Sequence, residues 1–333
     1  MGVRIGIYFD MRNPPQWRRP WVEHYRQALE RTEEAERLGI DSVWLSEHHF
    51  FEDGYLPQPL TVAAALAART SRVRIGTAIL VAPLRPAVQI AEDAALVDIL
   101  SDGRVDLGLG AGYRVPEYAA FGADIARRYT DTLSRVDDVV RLLADGGVTP
   151  GPVQSPLPVW VGFGGPQGAR RAGRRGHRLL SIDPRLAAPY REGLEEGGHG
   201  ADRGRMAGLM NVLVADDPEA ARARLAPHLA YQLDTYGRYA VEDTGLDVPP
   251  PVDPVALMAP PADADAEAVF PHTAVLTAEQ TIELLRRRAG QLPLVEAFFW
   301  TSFAGLPDDL VDRHVELLSS VVAPAAHELP SPD

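Results

Sequence analysis

Eight times along this chain a short β-branched or apolar run is followed by a longer segment with helical spacing, and that alternation limits what the chain can fold into. Strands separated by helices pair in parallel, because a parallel partner needs a crossover of about a dozen residues or more. The strand-like runs are Val3–Phe9, the stretch from Ser42, Val73–Pro83, Arg104–Gly112, Val159–Phe163, His177–Asp183, Ala207–Ala215 and Leu294–Ser302. Helical periodicity falls between them, as in Trp21–Leu38, which stops at Gly39, and in Pro86–Leu100, with Pro at its start and Gly103 past its end. Eight such units without a second core predict an α/β fold, a TIM-type (β/α)8 barrel with insertions, forming one domain over 1–333. One stretch, about 248–271, breaks the rhythm. It is rich in Pro, Asp and Ala, and reads as an insertion over one barrel face and part of a lid.

Composition removes several kinds of chemistry. There is no cysteine, so disulfides, thiolate metal sites and cysteine nucleophiles are excluded. There is no lysine either, which removes Schiff-base chemistry and the phosphate-loop lysine. A net charge of -13 argues against a nucleic-acid partner. Apolar runs are interrupted well before bilayer length, and Gly2–Asp10 runs straight into strand-like sequence without a secretory pattern. A cytoplasmic protein with no membrane partner is the expectation.

The stretch S-V-W-L-S-E-H-H-F, Ser42–Phe50, places Glu47, His48 and His49 at the end of a buried strand. Side chains alternate along a strand, so Val43 and Leu45 face the covering helices while Trp44, Ser46 and His48 face inward. The carboxyl ends of parallel strands are where such sheets carry their chemistry. Adjacent histidines point apart and no HExxH-like spacing occurs, so no metal site is expected. The same parity turns Asp106, Gly108, Gly110 and Gly112 inward, together with Trp160, Gly162 and Gly164, Gly6 and Tyr8, and Gly76 and Ala78. Small residues on several strands predict a cavity at the barrel mouth wide enough for a planar ligand. Tyr8, Trp160 and Trp300 are its expected walls. In F-G-G-P-Q-G-A-R-R, Phe163–Arg171, glycines turn a strand into a helix opened by Pro. The N–H groups of Gly164, Gly165 and Gly168 and the positive helix end suit a phosphate.

Taken together, S-V-W-L-S-E-H-H-F, R-I-G-T-A-I-L-V-A-P-L-R-P, L-S-D-G-R-V-D-L-G-L-G-A-G with E-Y-A-A-F-G, and P-V-W-V-G-F-G-G resemble the bacterial luciferase-like flavin-dependent monooxygenase superfamily over nearly the whole chain. The resemblance implies reduced FMN at the barrel mouth, supplied by a separate flavin reductase. O2 would react through a flavin hydroperoxide to oxygenate a small organic substrate. It implies that His48, preceded by Glu47, is catalytic, and that Ala78–Ile79 is a non-prolyl cis peptide lying against the flavin. Gly110 stands where luciferase has a reactive cysteine, and Ala111 where it has an arginine near the flavin phosphate. Gly112 lies on the same turn, and Gly164, Gly165 and Gly168 match the phosphate turn. Glu117 matches an acidic position with a structural or loop-positioning role. A homodimer is also implied, with the helices after the first strands at its interface. Two other readings keep the fold. One is a deazaflavin-dependent oxidoreductase transferring hydride, and the other is a flavin-binding or partner subunit without turnover.

Overall fold

The computed structural model describes residues 2–144, 146–258, 272–301 and 303–332. Its elements follow the predicted alternation. The strands are β1 (Arg4–Phe9), β2 (Ser42–Leu45), β3 (Arg74–Thr77), β4 (Leu80–Val81), β5 (Val105–Gly110), β6 (Val159–Gly162), β7 (Arg178–Leu180), β8 (Met206–Met210), β9 (Val212–Val214), β10 (Ala274–Leu276) and β11 (Leu294–Trp300). Between and after them run α1 (Trp21–Leu38), α2 (Pro59–Arg69), α3 (Ala87–Leu100), α4 (Val115–Ala120), α5 (Arg128–Ala144), α6 (Pro166–Arg174), α7 (Ala187–Glu196), α8 (Pro218–Val241), α9 (Ala278–Gln291) and α10 (Asp308–Leu317).

The sheet order is β3-β2-β1-β11-β8-β7-β6-β5-β4, every pair parallel, and β3 also pairs with β5. β3 and β4 are therefore one stave broken at Ala78–Ile79, and the sheet closes into a barrel of eight staves, as the alternation predicts.

Two readings of the sequence are corrected. Ala207–Ala215 is not one strand. It leaves the barrel at Asn211, and β9 pairs with β10 in a separate two-stranded sheet. The bend is held because Asn211 Oδ1 accepts the Trp300 indole N–H at 2.8 Å, and the Asn211 carbonyl accepts the Ala274 N–H at 2.9 Å. The second correction is α9, a helix that the eightfold alternation does not include. Its signal is local: Thr277 and Gln280 form a reciprocal capping box.

Val43, Leu45, Val105, Leu107, Leu109, Val159 and Val161 pack outward under the helices, as parity predicts. Inside, the lower barrel is filled. The Trp44 ring stacks on Phe298 at 4.7 Å and meets Trp160 edge-on at 6.3 Å. Buried carboxylates hold this plug. Glu296 accepts from Arg4 Nε (2.9 Å) and Trp44 Nε1 (2.5 Å). Asp106 accepts from Arg74 Nε (2.5 Å) and Trp160 Nε1 (2.9 Å).

The packed lower interior explains three of the seven inward glycines. A Cβ on Gly6 would meet Ser42 Oγ at 2.2 Å, one on Gly76 the Trp44 ring at 2.3 Å, and one on Gly108 the Thr77 carbonyl oxygen at 1.8 Å. These positions admit neighbouring protein, not ligand.

Candidate functional site

Above the plug, at the carboxyl ends of the strands, lies a cavity of about 920 Å³. That is near the top of the range of ~300–1,000 Å³ for small-molecule sites. Its lining includes Tyr8, Glu47, His48, Ala78, Ile79, Gly112, Gly164 and Trp300, all singled out from the sequence. The Ala78–Ile79 peptide is cis.

Four other selected residues stand elsewhere. Trp160 is in the plug, because it precedes Gly162 by two residues and so lies about 7 Å lower along the strand. Gly110 does not line the cavity; a Cβ there would meet Ile79 Cγ1 at 2.8 Å, so it seats the Ile79 side chain. Gly168 receives the Phe163 ring in the same way, with Cβ-to-Phe163 distances from 2.5 Å. Gly165 is the N-cap of α6, with no side-chain cap on that helix. Around Gly164 and Gly165 an added Cβ would meet nothing within 4 Å.

The loop after β2 carries His48. Its backbone N–H donates to the Leu56 carbonyl, and its ring packs on Phe51 at 4.9 Å. Nδ1 lies 2.9 Å from Glu117 Oε1 on the first turn of α4. Burial alone would raise the Glu117 pKa. The His48 hydrogen bond and charge, the His49 N–H at 2.8 Å and Arg114 outweigh it and hold the carboxyl below its ordinary value. An ionised Glu117 accepts only, so Nδ1 carries a proton and donates, which leaves Nε2 as the ring nitrogen that can exchange a proton.

Glu47 does something different from its neighbour. Its Oε1 accepts from His49 Nε2 (2.6 Å) and pairs with Arg85 (2.6 Å), and its Oε2 accepts from the Val81 N–H (2.7 Å). It ties the His48 loop to the strand that follows the cis peptide, and it also lines the cavity.

Sequence reasoning missed the outer shell. Arg114 is fully buried, donates to the His49 carbonyl and to Glu242, and lies between the rings of Phe51 (4.7 Å) and Tyr239 (4.5 Å). It thereby fastens the end of α8 to the His48 loop. Tyr55, Tyr113, Leu209, Leu233 and Tyr236 also line the cavity, as does Val252, which belongs to the segment expected to form a lid. Val252 is held through its N–H by Asp234 Oδ1 at 2.6 Å. Residues 259–271 of that segment lie outside the described residues. No signal in one sequence marks these positions, since loops far apart along the chain bring them together. Of the four arginines after Phe163, Arg170 and Arg174 bond Glu196, and Arg175 bonds Asp137.

No arginine is among the residues lining the cavity, and no group of three or more His, Cys, Asp or Glu side chains able to hold a metal occurs among the described residues. No helix of the described residues is long and apolar enough to cross a membrane.

An isoalloxazine-type ring fits what is present. The cavity volume admits it, Ala78–Ile79 and the glycines give a flat wall, and the uncapped end of α6 offers free N–H groups to a phosphate.

Comparison with known proteins agrees with the fold. The chain is similar to the F420-dependent glucose-6-phosphate dehydrogenase of Amycolatopsis mediterranei (strain U-32), 32% identical over 205 residues, covering 54% of this chain and 61% of that protein. It is 35% identical over 123 residues to the alkanal monooxygenase alpha chain of Photorhabdus laumondii subsp. laumondii, covering 37% of this chain and 34% of that one. Both matches span less than two thirds of the relative's length. Among solved structures, the monooxygenase RslO1 from Streptomyces bottropensis superposes with a TM-score of 0.77 at 22% identity, covering 97% of this chain and 99% of that one. The profile of the luciferase-like monooxygenases matches residues 3–323, and the chain belongs to that family.

Proposed function

We propose that this protein is a flavin-dependent monooxygenase. It binds reduced FMN in the cavity, takes up O2, and places one oxygen atom on an organic substrate while the other leaves as water. The observation that carries this reading is His48, fixed through Nδ1 by Glu117, on the wall of a large, apolar cavity whose lining includes no arginine among the described residues. When bound, reduced flavin supplies the electrons that activate O2. The chain's own residues do the rest. Ala78, Ile79, Gly112 and Gly164 support the ring, and the N–H groups at the start of α6 hold the phosphate. Gly110 and Gly168 act from behind by seating Ile79 and Phe163. Tyr8 and Trp300 wall the substrate side, and Leu233, Tyr236 and Val252 shut out water at the mouth. His48 holds and releases a proton at Nε2, while Glu47 and Glu117 keep its loop and ring in place.

A separate flavin reductase and a homodimer belong to the same proposal. Helix α3 leaves Val88, Leu96, Ile99 and Leu100 exposed, an apolar face suited to a second copy.

The Amycolatopsis relative supports a second reading, in which a deazaflavin exchanges hydride with the substrate. The substrate in that relative's name is not carried over, because the cavity lining offers no cation to a sugar phosphate.

Anaerobic titration with photoreduced FMN and with reduced F420, followed by air, tests the choice. Tight FMN binding with O2 uptake is expected. Tight F420 binding with indifference to FMN establishes the second reading, and binding of neither overturns both.

A further inference from the structure

Around His48 the cavity wall is aromatic. Ring centroids stand at 4.8 Å (Tyr55), 5.0 Å (Tyr113) and 6.5 Å (Tyr236), and Tyr8 and Trp300 continue the lining. The polar atoms of this wall are used within the protein. Tyr55 accepts from Ser46 Oγ at 3.0 Å and shares hydrogen bonds with Tyr236 (3.0 Å) and Tyr8 (3.4 Å). The Trp300 indole N–H goes to Asn211, and the Tyr113 hydroxyl is closed off from solvent. What the wall offers a ligand is therefore ring surface. The rings stand nearly perpendicular, Tyr8 to Trp300 at 86° and Tyr55 to Tyr236 at 75°, so they box a ligand from two directions. Ring faces carry negative potential and attract a cation within about 6 Å.

The charges behind these rings have the same sign. Each nearby guanidinium is matched. Arg85 pairs with Glu47 (2.6 Å), Arg114 with Glu117 (3.4 Å) and Glu242, and Arg12 with Asp53 (2.7 Å), while Asp10 Oδ1 accepts the Arg12 backbone N–H. Asp234 adds a carboxylate at the mouth, where it holds the Val252 N–H. Glu52 and Arg238, 3.9 Å apart, offset each other. Carboxylates here outnumber guanidinium groups, even with Asp10 protonated. Arg128 lies away from this end, over the Tyr129 ring at 4.4 Å, beside Phe163 and the phosphate turn. An anion next to His48 would meet ring faces and surplus negative charge, whereas both favour a cation.

We propose that the substrate is a protonated amine on an apolar body, with its ammonium group held against the tyrosine and tryptophan rings beside His48. This rests on the flavin-cavity reading above and adds the substrate class to it. Tyr236, on α8, is a specificity-determining residue through its ring. Transfer of one ammonium proton to the neutral Nε2 of His48 leaves an imidazolium and an amine whose nitrogen lone pair is free to react.

Equilibrium dialysis of the FMN-saturated chain near neutral pH tests this with three probes of similar size. They are N,N-dimethylbenzylamine, which is cationic there, isobutylbenzene, its neutral isostere, and phenylacetate. The amine is expected to bind at least about fivefold more tightly than isobutylbenzene, and phenylacetate more weakly than either. Tyr236→Phe keeps the ring and should keep this preference. Tyr236→Leu should reduce it about threefold or more while isobutylbenzene binding holds. Asp234→Asn, which retains an acceptor for the Val252 N–H, should weaken the amine alone. Amine binding no tighter than that of isobutylbenzene overturns the proposal, as does phenylacetate binding that matches the amine. An undiminished amine preference in Tyr236→Leu overturns the role of the ring. Failure of the flavin reading is seen separately, in the FMN titration. The three probes are then compared on the chain alone, where they still decide the sign of charge that the cavity accepts.

Discussion

Glu117 Oε1 reaches His48 Nδ1 at 2.9 Å across 69 residues of sequence, and the same oxygen accepts the His49 N–H at 2.8 Å. One carboxylate thus fixes both the ring and the backbone of the loop that carries it. The imidazole is set by an element from the next stave but one, not by the glutamate beside it in the sequence.

Replacing this carboxylate by its amide separates charge from shape. In Glu117→Gln an oxygen still accepts from Nδ1, so flavin affinity is expected to change little while turnover falls by about 10–100-fold, the usual scale for such supporting partners. The native Glu117 pKa lies below its ordinary value of 4.5. Its contribution to stability is therefore present above the unfolded value and is lost as pH falls through the folded one. Denaturation of wild type and variant over a pH series should show a constant difference above about pH 5 that shrinks on acidification below it.

Asp10 carries the opposite sign. Burial, only partly offset by Arg12, pushes its pKa up to about 7 from 3.8, and its Oδ2 has no partner. A carboxyl that binds its proton more tightly when folded contributes stability below the unfolded pKa, and that contribution is lost as pH rises through the folded one. Asp10→Asn keeps the acceptor for the Arg12 N–H. It is expected to gain stability relative to wild type between about pH 4 and pH 7, by at most ~4 kcal/mol. A flat difference across that window contradicts the assignment.

Arg114 fastens the end of α8 to the His48 loop. Arg114→Met removes its bonds to the His49 carbonyl and Glu242 while keeping a side chain between Phe51 and Tyr239. Loss of about 3 kcal/mol is expected, because a buried charge partner is removed. Hydrogen exchange should quicken first at residues 242–258. Uniform quickening along the chain would show general destabilisation instead.

Gly164 separates fold from binding. Its Cβ direction is empty, so Gly164→Leu should leave Tm within about 2 °C of wild type. The same side chain enters the cavity, and FMN affinity is expected to drop by about tenfold or more.

How far the sequence could be read follows from range. Strand parity is local, so the inward faces of β2, β5 and β6 and the place of His48 were legible residue by residue. What parity cannot give is height along the barrel. Trp160 has the right face and the wrong level. Gly6, Gly76 and Gly108 have the right face, but their space is taken by Trp44, Ser42 and the Thr77 carbonyl. Arg114 was illegible for another reason: its partners come from α8 and the β2 loop, contacts that exist only after closure of the barrel. The capping box of α9 was readable and lay outside the eightfold pattern being sought.

The central claim is that the hollow beside His48 takes the ring of a flavin. A crystal structure of the chain soaked with FMN tests it most directly. The account predicts the tricyclic ring against Ala78–Ile79, the phosphate at Gly164 and the start of α6, and His48 Nε2 facing the ring. FMN density elsewhere on the protein, or a cavity that stays empty in crystals saturated with FMN, would contradict it.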